Sequence, residues 1–506
     1  MLKNIYIYMI ALLAMYNIQS CKKDLGNYSY HEINNVVIRS LNDTTAIFGK
    51  RFVLKPQLVF SQDDGTDTTK YSYEWLFDGP NGLGGRGLYK MTNTKNLDVN
   101  MTLTADTYNF FYGVTVKETG VKYQKKFVLK VVNEINEGWF LMCEVNGKAR
   151  LDMLSKLTDG TFIAIPDLLK TTGSDLVLKG KPHMVYNYNR GISTGPGLNA
   201  AYAIYLGTDE ATERIDPENF SWKPLYNLKT EIFAPMPADF HADVIVQAGG
   251  VHSYMVGGND AYLYDRTRNV AYSVPINYLP TEPNGFKIAP FAAPPLTSAV
   301  NRTQIGIFYD TDNKRFVKHT DIDNYCTAIP DPKENKLFSF STGMNMIYMC
   351  YSPFGAGEIF SVLKDPTSNK RFLASFDGFS NVQSYYAEIL ATDFDKAEQY
   401  AVSPDLGYLF YKIGGKLYQY DRSLKTTKVM LDKGAEKISL IKFQTFLSSK
   451  YTDGNKLIVC SYDPAKPEGA NGKMEVFTVP SLNADLIPVS SYSGIGKVQS
   501  LTYRER

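Results

Sequence analysis

The stretch KLYQYDRSLK, residues 416–425, places a short apolar strand directly before a tyrosine–aspartate pair and a polar turn. Two other stretches share this form, AYLYDRTRNV at 261–270 and IGIFYDTDNK at 305–314. Their aspartates, Asp265, Asp310 and Asp421, are separated by 45 and 111 residues, and the longer gap is close to two periods of about 55. Short strands that recur about every 40–50 residues, four to a unit, are typical of a β-propeller.

Three related stretches lack the aspartate but repeat the apolar strand: GWFLMCEV at 138–145, NMIYMCY at 345–351 and KLIVCSY at 456–462. Because the chain shows hardly any amphipathic helix beyond residue 138, residues 138–506 are predicted to form a propeller of about seven blades; six or eight also fit. The final stretch GKVQSLTY, 496–503, has the form of one more strand. We expect it to pair near residues 138–145 and close the ring, since closure removes free sheet edges.

Residues 28–133 are predicted to form a separate all-β domain. Alternation is clear at 108–116 and 123–132, and Gly120 lies in the short turn between them, which is a hairpin signal. Upstream, Trp75 lies in the middle of the strand-like stretch YSYEWLFDG, as in immunoglobulin-like sandwiches. The polar residues 134–137 are interpreted as a linker to the propeller.

The first 20 residues have the form of a signal peptide. Lys3 precedes twelve apolar residues, 5–16, which are too few to span a bilayer. The stretch IQSC at 18–21 resembles a bacterial lipobox, in which the cysteine is acylated and becomes the new amino terminus. This resemblance implies that Cys21 is a lipid anchor followed by a lipidated tether, 21–27. The alternative, a buried amino-terminal helix or strand, is disfavoured by the charged residues that follow.

Composition excludes some function classes. The chain has 54 Lys and Arg against 52 Asp and Glu, so no excess of cations exists to bind nucleic acid. The 36 tyrosines suit both β-strands and recognition surfaces. The sequence contains no CxxC motif and no Cys/His cluster, which argues against a zinc site. The sequence favours buried free thiols but leaves two disulfides open for the remaining cysteines: Cys143, Cys326, Cys350 and Cys460.

Several catalytic and metal-binding motifs are incomplete. Gly191-Ile-Ser-Thr-Gly195 fits the nucleophile elbow, but the proline and glycine that follow do not suit the helix it requires. His31 begins a zinc-protease motif whose second histidine is replaced by Asn35. His241 and Asp243 could be metal ligands or an acid–base pair, without an evident third ligand. The glycine-rich loop 82–87 and the acidic turns at 63–67 and 310–313 are interpreted as turns. The chain is therefore predicted to be non-enzymatic, without metal or cofactor.

The stretches CKKDLGNYSYHEIN at 21–34 and AVSPDLGYLFY at 401–411, together with the sandwich and the repeats, resemble the PKD-like family of outer-membrane lipoproteins in Bacteroidetes. The resemblance implies an accessory lipoprotein of a Sus-like nutrient-uptake system. Its implied partners are a TonB-dependent outer-membrane transporter and the SusD-like lipoprotein lid, and its implied ligands are glycans or peptides. The sequence KKD at 22–24 resembles the signal that places such lipoproteins on the outer face of the outer membrane.

Propellers usually bind ligands on loops at the mouth of the central channel. Five aromatic residues in expected loops are the candidate ligand contacts: Trp222, Phe286, Phe291, Tyr385 and Tyr386. We expect a surface-exposed, lipid-anchored protein that captures an oligopeptide or oligosaccharide or braces the importer. Two alternatives stay open, a propeller-based hydrolase and a purely structural scaffold without a ligand.

Overall fold

The computed structural model describes residues 32–80, 85–157, 159–189, 202–248, 252–265, 271–295, 304–446 and 448–505. Within these ranges the chain is almost entirely β-stranded, with one α-helix of four residues, α1 (Leu168–Thr171). No helix in the same ranges has the length and hydropathy needed to cross a membrane. The predicted signal peptide, Cys21, His31 and the glycine-rich stretch 191–195 lie outside the described residues.

The amino-terminal domain is a β-sandwich. One sheet has the strand order β2-β9-β8-β5-β6, while β1 pairs with β4 and β3 pairs with β7. The expected hairpin is present as β8 and β9, which pair in antiparallel register. The nine strands are β1 (Val36–Arg39), β2 (Thr44–Ile47), β3 (Arg51–Leu54), β4 (Gln57–Phe60), β5 (Tyr71–Pro80), β6 (Arg86–Thr92), β7 (Leu97–Asn100), β8 (Asp106–Val116) and β9 (Lys122–Val132).

Trp75 fills the centre of the sandwich and is fully buried. Its ring centroid lies 4.4 Å from that of Tyr112 and 6.3 Å from that of Phe127. The indole Nε1 donates a hydrogen bond to the carbonyl oxygen of Thr94 at 2.9 Å, so the polar atom of the ring is satisfied. The tryptophan therefore has the central core position that the sequence predicts.

Seven further sheets follow the sandwich, and we number them as blades 1 to 7 in chain order. Blade 1 contains β10 (Gly138–Val145), β11 (Lys148–Lys156) and β12 (Phe162–Ile165), and blade 2 contains β13 (Pro182–Asn189), β14 (Tyr202–Thr208) and β15 (Thr212–Ile215). Blade 3 contains β16 (Val244–Ala248), β17 (His252–Gly257) and β18 (Asp260–Asp265), and blade 4 contains β19 (Ile305–Asp310), β20 (Arg315–Thr320) and β21 (Cys326–Ala328).

Blades 5 to 7 each have four strands in sequence order. Blade 5 contains β22 (Asn345–Ser352), β23 (Glu358–Lys364), β24 (Arg371–Phe376) and β25 (Gln383–Glu388). Blade 6 contains β26 (Gln399–Val402), β27 (Leu409–Ile413), β28 (Lys416–Asp421) and β29 (Thr426–Asp432). Blade 7 contains β30 (Lys437–Phe443), β31 (Lys456–Tyr462), β32 (Gly472–Thr478) and β33 (Ile487–Ile495).

The last strand of the chain closes the ring. β34 (Lys497–Arg504) joins blade 1 beside β10 and gives that sheet the order β12-β11-β10-β34. The antiparallel register pairs Gly138 with Arg504 and Glu144 with Lys497. This pairing confirms the closure expected from the sequence. The fold class, a sandwich followed by a propeller, is also confirmed.

The tyrosine–aspartate pairs do not mark equivalent strands of successive blades. Asp265 and Asp421 end the third strands of blades 3 and 6. Asp310 ends β19, which has a further segment, 288–293, bridged to its other edge and is therefore the second strand of blade 4. The gap of 111 residues between Asp310 and Asp421 does span two blades, but the aspartates do not mark a fixed strand of the blade.

The physical reason is that this aspartate caps a turn. The Oδ1 atom of Asp310 accepts hydrogen bonds from the backbone N–H groups of Asp312 and Asn313, at 3.0 and 2.9 Å. Asp421 does the same in the β28–β29 turn, where it accepts from Ser423 at 2.8 Å. An aspartate-capped turn can connect any two antiparallel strands. The spacing of the Tyr-Asp pairs therefore indicates where hairpins lie and not where each blade begins.

The sandwich packs firmly on the first two blades. One hydrophobic cluster contains core residues of the sandwich, such as Trp75, and residues of blades 1 and 2, such as Phe140 and Ile204. Helix α1 contributes Leu168 and Leu169 to the same cluster. A shared core of this kind holds two domains in a fixed relation, unlike the polar contacts typical of mobile domains.

The segment between the two domains is itself packed. Ile135 is only 5% exposed. The fully buried Arg504, at the end of β34, donates hydrogen bonds to the carbonyl oxygens of Ile135 and of Pro217 in blade 2, at 3.3 and 2.5 Å. The guanidinium also lies 5.9 Å from the ring centroid of Phe140. The closing strand therefore also fastens the junction of the domains.

We predict that Gly138→Ala destabilises the protein strongly. Gly138 has φ +142°, and an added Cβ would lie 2.1 Å from the backbone oxygen of Leu154 in the adjacent strand. Because backbone cannot yield without disturbing the β10–β11 register, we expect a loss of more than about 3 kcal/mol in unfolding free energy. Urea or thermal unfolding of the purified protein measures the change.

Gly147→Ala is the matched control. Gly147 lies in the next turn with φ +72°, but an added Cβ would meet nothing within 4 Å. This variant isolates backbone strain, for which we expect a cost of about 1 kcal/mol. Equal losses in the two variants would contradict the steric explanation for Gly138.

Candidate functional site

The inner edges of the blades form the wall of the central channel. In each blade the inner strand ends its sheet, so one row of its backbone N–H and C=O groups has no strand partner. Buried backbone groups of this kind need other hydrogen-bond partners. In this propeller, side chains from neighbouring blades supply several of them.

Blades 1 and 2 are joined in this way. The Ser500 hydroxyl of β34 accepts a hydrogen bond from the backbone N–H of Val185 in β13 at 3.0 Å. In return, Asn187 Nδ2 of β13 donates to the backbone oxygen of Tyr503 in β34 at 3.0 Å. The two strands are therefore held in register without a strand–strand ladder.

The next junctions follow the same rule. The Tyr186 hydroxyl of blade 2 accepts from the backbone N–H of Gln247 in blade 3 at 2.8 Å. Gln399 Oε1 of blade 6 accepts from the N–H of Ile441 in blade 7, also at 2.8 Å. In both junctions a side-chain oxygen of one blade accepts a hydrogen bond from an unpaired backbone N–H group on the inner strand of the next blade.

Three aromatic rings line the channel across blades 4, 5 and 6, and we call them the aromatic wall. Phe291 comes from the segment beside β19, Tyr348 from β22 and Tyr400 from β26. Ring centroids are 6.0 Å apart for Phe291 and Tyr348, and 5.5 Å apart for Tyr348 and Tyr400. All three side chains keep partial exposure. Such a row of rings suits stacking on sugar faces or on peptide side chains.

Lys442 lies on the inner strand of blade 7, which is the next inner strand in the ring after that of Tyr400 in blade 6. It follows Ile441, whose N–H is bound to Gln399, and Gln399 precedes Tyr400. The Lys442 ammonium donates a hydrogen bond to the backbone oxygen of Leu501 in β34 at 2.7 Å. The side chain thus reaches across the boundary between blades 7 and 1.

The Lys442 ammonium carries an uncompensated charge. Among the described residues, no carboxylate forms a salt bridge with it. Burial disfavours the charged form and lowers the pKa of Lys442 to about 8. The side chain nevertheless keeps some exposure, as expected for an ammonium that borders a narrow channel.

Two of the five predicted ligand contacts have packing roles outside the channel. Trp222 is half-buried against the core shared with the sandwich, and its Nε1 donates to Glu213 Oε2 at 2.9 Å. Phe286 is 4% exposed, with the Arg315 guanidinium 5.5 Å from its ring centroid. Phe286 therefore has no free surface for ligand stacking, and Trp222 packs beside the sandwich and not at the channel.

Tyr385 and Tyr386 lie in β25, the outer strand of blade 5. The Tyr385 hydroxyl donates to the backbone oxygen of Arg422 at 2.9 Å. Tyr386 stacks on Phe372 with ring centroids 5.3 Å apart. The structure therefore does not bring the five residues together, and of this set it places Phe291 alone at the channel.

The predicted pair of His241 and Asp243 gains a third polar neighbour. His183, at the start of β13, lies with its Nε2 3.8 Å from Asp243 Oδ1, and its ring centroid is 5.7 Å from that of His241. Burial raises the pKa of Asp243, and the two imidazoles oppose that shift. No group of three or more His, Cys, Asp or Glu side chains in the described ranges is arranged to hold a metal ion.

The remaining sequence motifs have structural roles where they are described. Asp63 accepts hydrogen bonds from the Tyr71 hydroxyl at 2.6 Å and from the backbone N–H of Gly65 at 2.9 Å, so this acidic stretch is a turn. Four cysteines of the propeller are free thiols, as the sequence favours: Cys143, Cys326, Cys350 and Cys460. Burial raises the pKa of each of these thiols.

Two open cavities lie on the sandwich rather than in the channel. One, of about 350 Å³, is lined by residues 105–107, 130–133 and 136. The other, of about 450 Å³, is lined by residues 68, 71–74, 90, 93 and 115. Neither combines exposed aromatic surface with an uncompensated charge, so the channel is the better candidate site.

Comparison with known proteins identifies the amino-terminal part of the chain. Residues 21–182 match the profile of the PKD-like family. The resemblance to the PKD-like family is confirmed. The PKD-like match ends at residue 182, where β13 begins, so it covers the sandwich and β10 to β12 of blade 1. No curated protein matches the chain.

Solved structures with similar folds include a quinoprotein alcohol dehydrogenase-like protein from Bacteroides thetaiotaomicron, at 11% identity and a TM-score of 0.48, covering 93% of this chain and 99% of that one. The extracellular domain of a putative one-component system from the same organism is 10% identical, with a TM-score of 0.37, covering 64% of this chain and 36% of that one. The Dos1 propeller is 9% identical, with a TM-score of 0.37, covering 78% and 86% of the two chains.

Sequence reasoning missed Tyr348, Tyr400 and Lys442. A signal for Lys442 was present, because KISLIKF places it two positions after Leu440 on one face of an otherwise apolar strand. The tyrosines carried no comparable signal, since tyrosine is frequent in every blade. Their role follows from the position of their strands in the ring.

We predict a pH-dependent stability difference between the protein and Lys442→Met. The folded-state pKa of Lys442 is about 8, below the unfolded value of about 10.4. Between these values the unfolded chain binds more protons, so this group makes stability rise with pH, by at most about 1.4 kcal/mol per pH unit. Urea unfolding of both proteins at pH 7.5 and 9.5 measures the difference.

The unfolding free energy of the protein should rise relative to that of Lys442→Met between the two pH values. Other titrations occur in both proteins and cancel. Lys125→Met, at an exposed position of β9, is the control and should give no pH-dependent difference. A constant difference between the protein and Lys442→Met would show that the Lys442 ammonium is solvated as in the unfolded chain.

Proposed function

We propose that this chain is a lipid-anchored, cell-surface binding protein whose propeller captures an oligopeptide or oligosaccharide nutrient in its central channel. The aromatic wall carries this proposal, because Phe291, Tyr348 and Tyr400 form a partly exposed row of rings that spans three blades. Ring faces bind sugar rings and apolar peptide side chains with favourable area at little cost in conformational entropy.

The proposed anchor is Cys21 at the outer membrane. The lipobox-like stretch 18–21 supports it, and the PKD-like match begins at Cys21, the residue that lipoprotein processing would leave at the amino terminus. Each methylene of an acyl chain that is buried in the bilayer contributes about 0.8 kcal/mol to the free energy of membrane binding, so more than one chain gives a stable anchor. The protein would then face the medium beside its proposed partners, a TonB-dependent transporter and the SusD-like lid.

A propeller-based hydrolase is the second candidate. The contact of His183 with Asp243, with His241 beside them, is the observation that favours it, since an imidazole and a carboxylate can serve as an acid–base pair. Turnover of a bound oligomer that is abolished by His183→Gln would establish this candidate. Saturable binding without turnover would support capture.

We predict that Tyr348→Ala lowers ligand affinity about tenfold or more. Tyr348 is the central ring of the aromatic wall, and a stacking contact of this type contributes about 1 kcal/mol beyond its buried area. Arrayed oligopeptides and oligosaccharides identify a binding class, and calorimetry then gives the dissociation constants. Tyr89→Ala, at an exposed tyrosine of the sandwich, is the matched control and should leave binding unchanged.

If no oligopeptide or oligosaccharide binds saturably, the capture proposal is wrong and a scaffold role gains support. If binding occurs but Tyr348→Ala and Tyr89→Ala bind as the unaltered protein does, the ligand lies outside the channel. Thermal unfolding of each variant establishes that it is folded before its affinity is compared.

We predict that Cys21→Ala releases the protein from the outer membrane. Without the thiol no acyl chain can be attached, so the proposed anchor is lost. Fractionation and mass spectrometry of the mature amino terminus test the anchor. The same membranes, extracted gently with a tagged protein, should yield a TonB-dependent barrel and its lid. If the Cys21→Ala variant stays in the membrane fraction, the anchor proposal is wrong.

A further inference from the structure

The Lys442 ammonium has hydrogen-bonding capacity that the protein does not use. An ammonium group has three N–H donors, and one of them is bound to the Leu501 carbonyl oxygen. The described residues provide no carboxylate partner for it. A desolvated cation in this condition is unfavourable unless an anion reaches it.

A second donor lies at the boundary between blades 2 and 3. The Tyr186 hydroxyl accepts a hydrogen bond from the Gln247 backbone N–H, so its own proton stays available for an acceptor. Burial raises the pKa of Tyr186, so the hydroxyl keeps that proton at neutral pH.

Blades 7 and 2 contact adjacent residues of β34. Lys442 is bound to Leu501, and Val185, the residue before Tyr186, is bound to Ser500. Lys442 and the β13 backbone thus flank adjacent residues of β34, whereas the Tyr186 hydroxyl lies at blade 3.

We infer that the ligand of this channel carries a carboxylate, which binds the Lys442 ammonium while another unit of the ligand stacks on the aromatic wall and a further acceptor meets the Tyr186 hydroxyl. This inference rests on the proposed capture function and names the chemistry of the ligand. A carboxylate matches the single cation in charge. Phosphate groups carry more charge and are usually met by several cations or by an arginine fork.

The same chemistry has two sources among oligomeric nutrients. A uronic acid residue supplies a carboxylate on a sugar ring, and a free carboxyl terminus supplies one on a peptide. Both kinds of oligomer also carry apolar or ring faces that can meet the aromatic wall. The charged group is common to both sources, so the experiment separates them.

The test uses the full protein and two pairs of probes. One pair is a trigalacturonate and its methyl ester, and the other is an aromatic tripeptide with a free carboxyl terminus and its amide. Calorimetry at pH 6.5 and 9.5 gives the dissociation constants for the protein, Lys442→Met, Lys442→Arg and the surface control Lys125→Met. Thermal unfolding establishes that each variant is folded.

We expect one acid probe to bind at least tenfold more tightly than its neutral counterpart at pH 6.5. Lys442→Met should abolish this preference and leave the weaker neutral binding, whereas Lys442→Arg should retain part of it because the charge is kept. The preference should shrink at pH 9.5, above the pKa of about 8 of Lys442. Lys125→Met should behave as the unaltered protein does.

Equal binding of the acid and neutral probes would overturn the carboxylate inference and leave the capture proposal standing. A preference for the acid that persists in Lys442→Met would also overturn it, since the charge would then be read elsewhere. Failure of all four probes overturns the inference, while the oligomer arrays decide the capture proposal separately.

Discussion

The antiparallel pairing of β34 with β10 is the interaction on which the rest of the structure depends. It joins the last strand of the chain to the first strand of the propeller and leaves no gap between blades 7 and 1. The same strand presents Ser500 and the Tyr503 carbonyl to blade 2 and the Leu501 carbonyl to Lys442 of blade 7. One strand of eight residues therefore closes the ring, orders the channel wall and places the cation.

Most of the fold could be predicted because its signals are local. Alternation at 108–132 specified the β8–β9 hairpin, and the apolar segment at 138–145 found its partner at the carboxyl end. The tyrosine–aspartate pairs misled because Asp310 and Asp421 cap turns at different positions within their blades. A capped turn depends on the few residues around it, so it carries no information about its rank in the sheet.

The candidate site could be predicted only in part, since a channel is assembled from inner strands that lie far apart in the chain. Phe291 was found as an aromatic residue in an irregular segment, and the same reasoning selected Phe286, which lies in the core. Composition does not tell an inner strand from an outer one, so Tyr385 in β25 and Tyr348 in β22 look alike in sequence. Lys442 differs, because a lysine among apolar residues on one face of a strand needs a structural or functional reason.

The hydrophobic core of the sandwich extends beyond the limits of the PKD-like match. The match ends where β13 begins, whereas the cluster that contains the sandwich core includes residues of β10, β11 and helix α1 and also of the blade 2 strands β13 and β14. Arg504 strengthens this junction from the far end of the chain by binding the Ile135 carbonyl. The sandwich is thus continuous with the propeller core instead of being a freely moving spacer. If Cys21 holds the chain to a membrane, the shared core gives the channel a fixed position relative to the sandwich that carries the tether. A transporter that receives ligand from the channel would then have to recognise the sandwich and propeller as one rigid surface.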